Sequence, residues 1–329
     1  MRDILKNALK IVLFSSLLII IIEITTISLI PKEAIKKYGF TNTVSYSILE
    51  EKPDTIDVVA LGDSLVYSSI SPMEIWNEYG YPMYDCAEAG MTLEAAYDYL
   101  KIIIEYEHPK IVLLESNLLF RASDQTLWYY KAKKSLLEYI PITKFHNNWK
   151  RIGVSEEDDI RSVDKGYIYI TRRVKYKPLD NIEDNHIIKR MTKKNYKIFQ
   201  DMIALCKENN VKLTLISNPS QISWRYSKHH GAERIAQRFQ LDFLDFNLTK
   251  EIDIDWANET KDDGDHLNHS GAKKVSAYIG KYLHETNLLT DKRNDPEYKP
   301  WNKASTIYNN HSDNYWYYSN CILTIMRYR

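Results

Sequence analysis

The stretch "ALGDSLVYSSI", residues 60–70, sets Ser64 directly after an apolar run and a glycine. A serine hydroxyl is a poor nucleophile until a base takes its proton, a third group orients that base, and donors receive the charge that develops on the carbonyl oxygen. Near the other end, "DDGDHLNHSGAKKVSAYIGKYL" (262–283) offers a base. Asp263 and His266 make an Asp-x-x-His spacing, in which a tight turn brings the carboxylate onto one ring nitrogen and leaves the other facing a serine; Asp265 is the competing orienter. Gly90 and Asn117 supply an unobstructed amide and a side-chain NH2, which with the Ser64 amide make three donors for an oxyanion. Each of these residues also has a plain structural reading. Gly-Asp-Ser is a turn that Gly62 permits, the acidic run is a solvated turn capping a helix near Ser270, Gly90 is a turn glycine and Asn117 a helix cap.

The elements that must position these groups alternate. "IDVVALG" (56–62), "YPMYDCAEAG" (81–90), "IVLLESN" (111–117), "VKLTLISN" (211–218) and "LDFLDFN" (241–247) read as short buried strands with polar ends. Between or after them, 92–106, 193–209 and 231–239 carry helical patterns, and a last helix begins near Ser270. Strands alternating with helices predict a parallel sheet covered on both faces, with ligands at the carboxyl ends of the strands. Residues 121–190 break the rhythm and read as an insertion. From 291 to 329 the chain is aromatic, rich in Asn and without clear periodicity, as an appended tail would be.

The 329 residues, 44% of them hydrophobic, suffice for one medium-sized domain with additions. Lys+Arg and Asp+Glu both total 44, so the overall charge gives no basis for a nucleic-acid ligand. Cys86, Cys206 and Cys321 show no metal or disulfide pattern, and neither a metal nor a cofactor is expected. At the N-terminus, "IVLFSSLLIIIIEITTISLI" (11–30), interrupted only by Glu23, reaches about 30 Å as a helix, enough for a bilayer core. No small-residue cleavage site follows in "PKEAIKKYG", so residues 1–34 read as a cytoplasmic stub and an uncleaved transmembrane anchor. Arg2, Lys6 and Lys10 before the span nearly balance Lys32, Lys36 and Lys37 after it. The expected orientation, with the 35–290 domain outside the cytoplasm, therefore leans on function.

Ser after the first strand, Gly after the second, Asn after the third and Asp-x-x-His before the last helix resemble the SGNH (GDSL-type) hydrolase superfamily over about residues 55–285. The resemblance implies a flavodoxin-like three-layer α/β/α sandwich and acyl-ester chemistry, with Ser64 attacking, His266 as general base and acid, and Asp263 orienting it. The family's Gly-x-Asn-Asp block reads "LESNLLF" here, with Glu115 in the glycine place and Leu118 in the aspartate place. "VYSSISPMEIWNEYGYPMYD", "FHNNW" and "DHLNHSGA" further resemble membrane-anchored bacterial SGNH proteins. Those are similar to partners of membrane-bound O-acyltransferases in exopolysaccharide O-acetylation and teichoic-acid D-alanylation. The resemblance implies transfer of an acyl group to an envelope polymer. An esterase and a non-catalytic glycan-binding partner are the alternatives.

Arg121, His146 and Trp149 are candidate lining for an acceptor groove, against the reading of a packed amphipathic helix. His229 and His230 show no acidic partner at ligand spacing. The tail aromatics Trp301, Tyr308 and Tyr315–Tyr318 suit sugar stacking, a membrane interface or a strap over the core.

Overall fold

The computed structural model describes residues 2–29, 48–49, 51–121, 163–177, 184 and 186–314. The chain divides into two units: residues 1–50 with 124–159, and residues 51–123 with 160–329. In the first, α1 (Arg2–Leu29) is a 28-residue helix in which Ile11, Phe14 and Ile19 are exposed. Counting the described residues alone, no helix is long and apolar enough to cross a membrane.

The second unit holds five parallel strands: β1 (Val58–Gly62), β2 (Met83–Ala87), β3 (Ile111–Glu115), β4 (Lys212–Ser217) and β5 (Asp242–Asp245). They lie in the order β2-β1-β3-β4-β5, which is the flavodoxin-like arrangement. Every residue of β1, β2 and β3 is buried, as strands covered on both faces must be, and this explains a largely apolar sequence that only Asp85 in β2 and Glu115 at the end of β3 interrupt. Alternate residues serve the two faces. Val58, Ala60, Ile111 and Leu113 share a core with α2 (Ser64–Ser69), α3 (Pro72–Tyr79) and α8 (His269–Glu285), through Val66, Ile75, Val275 and Ile279. Elsewhere in the unit α4 (Leu93–Glu107) packs against α6 (Lys193–Glu208), while α5 (Asn117–Phe120) and α7 (Tyr226–Phe239) meet beside β4.

Local chemistry sets the helix starts. Thr92 and Thr192 accept the N–H groups of Ala95 and Asn195 and so cap α4 and α6. Asn268 caps α8 by accepting from Ser270 and Gly271. That task does not fall to the acidic run before it, whose carboxylates are thereby left for other work.

Two expectations are revised by the packing. Gly62 is needed for space and not for a turn: a Cβ there would stand 2.2 Å from Val66 Cγ2 and 2.8 Å from Glu115 Cβ. The segment from 291 does have periodicity. A 3-10 turn at Pro296–Tyr298 leads into α9 (Lys299–Asn314), whose Trp301, Ala304 and Tyr308 are buried at helical spacing. Trp301 lies 5.1 Å from Trp76, centroid to centroid, and the Tyr308 hydroxyl is 2.8 Å from Ser71 Oγ. Of the three uses open to the tail aromatics, Trp301 and Tyr308 serve as a strap; Tyr315–Tyr318 lie outside the described residues.

Candidate active site

In this strand order the crevice for a ligand opens where β1 and β3 run to their carboxyl ends with connections leaving in opposite directions. Ser64 follows β1 and Asn117 follows β3. Asp63, almost fully buried, accepts the Leu65 N–H at 3.0 Å and caps α2, making Ser64 the first helical residue. A first-turn N–H has no intrahelical acceptor, so the Ser64 amide is open to a ligand atom.

Ser64 Oγ lies 2.8 Å from His266 Nε2. The other ring nitrogen, Nδ1, is 2.5 Å from Asp262 Oδ2. The orienting carboxylate is therefore Asp262 and not Asp263, which is exposed. The reason lies in the loop. Thr260 and Leu267 form a bridge, the Lys261 N–H and the Thr260 hydroxyl both donate to the His266 carbonyl, and Gly264 turns the chain with φ of 86°. Within that turn Asp262 faces inward and also accepts the N–H groups of Asp265 and His266, while Asp263 sits outside. Burial alone would raise the Asp262 carboxyl, but the His266 backbone and ring hydrogen bonds outweigh it and hold the group below its ordinary value. Asp265 lies on the other side of the ring, 3.8 Å from Nε2, and accepts the Ser220 hydroxyl at 2.6 Å.

The residues expected to supply the other oxyanion donors, Gly90 and Asn117, lie in the turn after β2 and at the end of β3. Gly90 closes a turn in which Met91 donates to the Glu88 carbonyl, and its φ of 73° suits glycine. A Cβ on Gly90 would lie 3.6 Å from Arg121 Nη1. Arg121 in turn pairs with Asp63. Asn117 Nδ2 is 3.5 Å from Asp63 Oδ2, and Asn117 Oδ1 accepts from Lys228 Nζ at 2.7 Å. Asn117 and Arg121 thus meet on Asp63, the residue before Ser64, with Gly90 beside Arg121. His146 and Trp149 lie outside the described residues.

Glu115 replaces the glycine of the resembled block for a reason visible in its contacts. Its buried carboxyl accepts the Asn117 N–H at 3.1 Å, the Asn218 N–H at 3.1 Å and the Asn218 side chain at 2.7 Å, tying the end of β3 to the end of β4. Burial, reinforced by the charge of Asp63, pushes it up to about 8.

Sequence reading missed Asp262, Glu115's bracing, Lys228 and Tyr67. Burial raises the Tyr67 hydroxyl above its ordinary value, against an opposing pull from Ser64 nearby. The "DDGDH" run marked this loop as the source of the orienting carboxylate without showing which aspartate it was. For Lys228 there was none, because its helix begins five residues before the apolar pattern does.

His229 and His230 do have acidic partners, brought from afar by the fold. His229 Nδ1 is 2.8 Å from Asp245 Oδ2, and His230 Nε2 is 2.8 Å from Asp184 Oδ1. Asp245 raises the His229 ring above its ordinary value. Asp184, His186 and His230, or His229, His230 and Glu233, bring ligand atoms within 4.8 Å of one another and are the described groups that could hold a metal.

No protein-family model matches the chain, and no curated protein matches it. Solved structures similar to it include a GDSL-like lipase from Bacteroides thetaiotaomicron (12% identity, 73% of this chain and 96% of that one, TM-score 0.39). Others are the psychrotrophic esterase EstA from Pseudoalteromonas (13%, 70% and 100%, 0.38) and a lipolytic G-D-S-L family protein from Veillonella parvula (10%, 71% and 100%, 0.37). The site is defined by its own geometry: a serine, a histidine and an aspartate in hydrogen-bonded series at the switch point of a parallel α/β sheet.

Proposed function

We propose that the chain is a membrane-anchored serine O-acyltransferase that acts outside the cytoplasm on a cell-envelope polymer, most simply by acetyl transfer. The observation that carries the acyl chemistry is the pair of contacts on His266, 2.8 Å to Ser64 Oγ and 2.5 Å to Asp262. In the first half-reaction His266 Nε2 takes the Ser64 proton as Oγ attacks the acyl carbonyl. The oxyanion of the tetrahedral intermediate is received by the Ser64 and Gly90 amides and the Asn117 NH2. On collapse, the bond to the leaving oxygen breaks and His266 returns the proton to it, leaving acyl-Ser64. Asp262 stays ionised throughout and supports the imidazolium. In the second half a hydroxyl of the polymer attacks acyl-Ser64, gives its proton to His266, and Ser64 is regenerated.

Water can take the place of that hydroxyl, and the same residues would then make an esterase. The transfer reading draws on the sequence: the apolar run 11–30 as anchor, and the resemblance of the flanks to partners of membrane-bound O-acyltransferases. An anchor holds the serine near a membrane donor and a wall-bound acceptor, raising their effective concentration. Ser64→Ala should abolish polymer acylation in cells while the protein remains expressed and folded; unchanged acylation would refute the reading. Full-length protein in detergent, given an activated acetyl ester and oligosaccharide, separates transfer, which acylates the sugar, from hydrolysis, which releases acetate alone.

A further inference from the structure

We infer that Lys228 is a positioning residue for Asn117, fixing its amide with the NH2 toward the reacting carbonyl and placing a positive charge behind it; the inference rests on the acyl-transfer reading above. An asparagine amide has two orientations, and only one presents N–H groups to an oxyanion. Asn117 opens α5 at the end of β3, so nothing in its backbone chooses between them. Lys228 does. An ammonium has donors only, and Nζ stands 2.7 Å from Asn117 Oδ1, so the oxygen must lie on that side. On the other side Asp63, an acceptor, is 3.5 Å from Nδ2, in agreement. A second bond, 2.6 Å from Nζ to the Ser223 carbonyl, holds the ammonium in place.

The surroundings of Lys228 suit this role better than a structural one. Among the described residues no carboxylate forms a salt bridge with it. Glu115, Asp63, Arg121 and Arg225 are the charged or titratable groups around it, and burial holds its ammonium below the ordinary value. Glu115 keeps its proton up to about 8, and Asp63 is engaged by Arg121. A half-buried cation without an ionised partner weakens a fold. One amide away from a forming oxyanion, the same charge polarises the donor and stabilises the transition state in a water-poor site.

The test uses full-length protein in detergent and an activated acetyl ester. Lys228→Met should lower kcat on the order of 10- to 100-fold, less than the roughly 10²- to 10³-fold loss from removing an oxyanion donor outright. KM should change little and Tm should not fall, because an unpaired cation is lost. Lys228→Arg should recover most of the rate. Lys228→Ala, which likewise removes both donor and charge, gives the same comparison if the methionine variant does not fold. Lys228→Met on an Asn117→Ala background should cost nothing further, since its effect passes through Asn117. A kcat for Lys228→Met or Lys228→Ala within twofold of an active wild type, or a full additional loss in the double variant, would overturn the inference alone. A wild type without turnover would overturn the acyl-transfer reading, and the inference with it.

Discussion

Glu115 and Glu107 occupy opposite ends of one parallel sheet and are held in nearly the same way. Glu107, the last residue of α4, accepts the N–H groups of Thr55 and Ile56, each at 3.0 Å, just before β1 begins. Glu115, the last residue of β3, accepts those of Asn117 and Asn218 where the strands end. Burial pushes each carboxyl up to about 8. At the entry end of the strands the device only joins chain segments. At the exit end the same device braces Asn117, beside Asp63 and Ser64. The chemistry of the site thus comes from where a common support is placed, at the switch point of the sheet.

The largest effect expected at the exit end belongs to the aspartates around His266. Asp262→Asn should lower kcat by about 10⁴, the loss seen when a triad aspartate no longer holds the right tautomer. Asp263→Asn should leave kcat within about twofold; steady-state kinetics on an activated ester reads both. A reversed pattern would return the orienting role to Asp263.

Next come the two glutamates. Glu115→Gln should lower kcat by roughly tenfold through the bracing of Asn117, against the larger loss of an outright donor deletion, while Glu107→Gln leaves it unchanged. In the pH dependence of stability the two should run parallel. The folded chain keeps these protons up to about 8, whereas the unfolded chain releases them near the ordinary value of 4.5. Between those values the folded state binds more protons, so stability is full below 4.5 and is lost as pH rises through 8. Glu107→Gln, whose one oxygen can still accept both N–H groups, should therefore match wild type near pH 4.5 and exceed its Tm by a few degrees at pH 8; Glu115→Gln, which loses one acceptor, should start below wild type and gain on it by a similar amount, as thermal melts across that range would show. A variant whose Tm advantage does not grow with pH would remove that glutamate from the account.

Much of this was legible in the sequence where local pattern decides. Strands buried on both faces are largely apolar, so β1 to β4 were visible as short runs, and polar ends marked the edge at which Ser64 and Asn117 emerge. The choice among Asp262, Asp263 and Asp265 was not visible, because it depends on a left-handed Gly264 and on the bridge between Thr260 and Leu267. Lys228 reaches Asn117 across 111 residues, and Asp245 and Asp184 reach His229 and His230 only once strand and helix have docked. The start of α7 was hidden for a related reason. Its first turn is polar, and Arg225 provides no side-chain cap. α9 was hidden by its Asn-rich face, although Trp301, Ala304 and Tyr308 mark the buried one.

The central claim is that Ser64 is a nucleophile activated through His266 by Asp262. Its most direct test is the intact mass of full-length protein after exposure to a fluorophosphonate, which phosphonylates an activated serine. The expected result is a single adduct that maps to Ser64, is absent from Ser64→Ala, and forms far more slowly in Asp262→Asn but at the wild-type rate in Asp263→Asn. No adduct on Ser64, or one that forms as fast without Asp262, would contradict it.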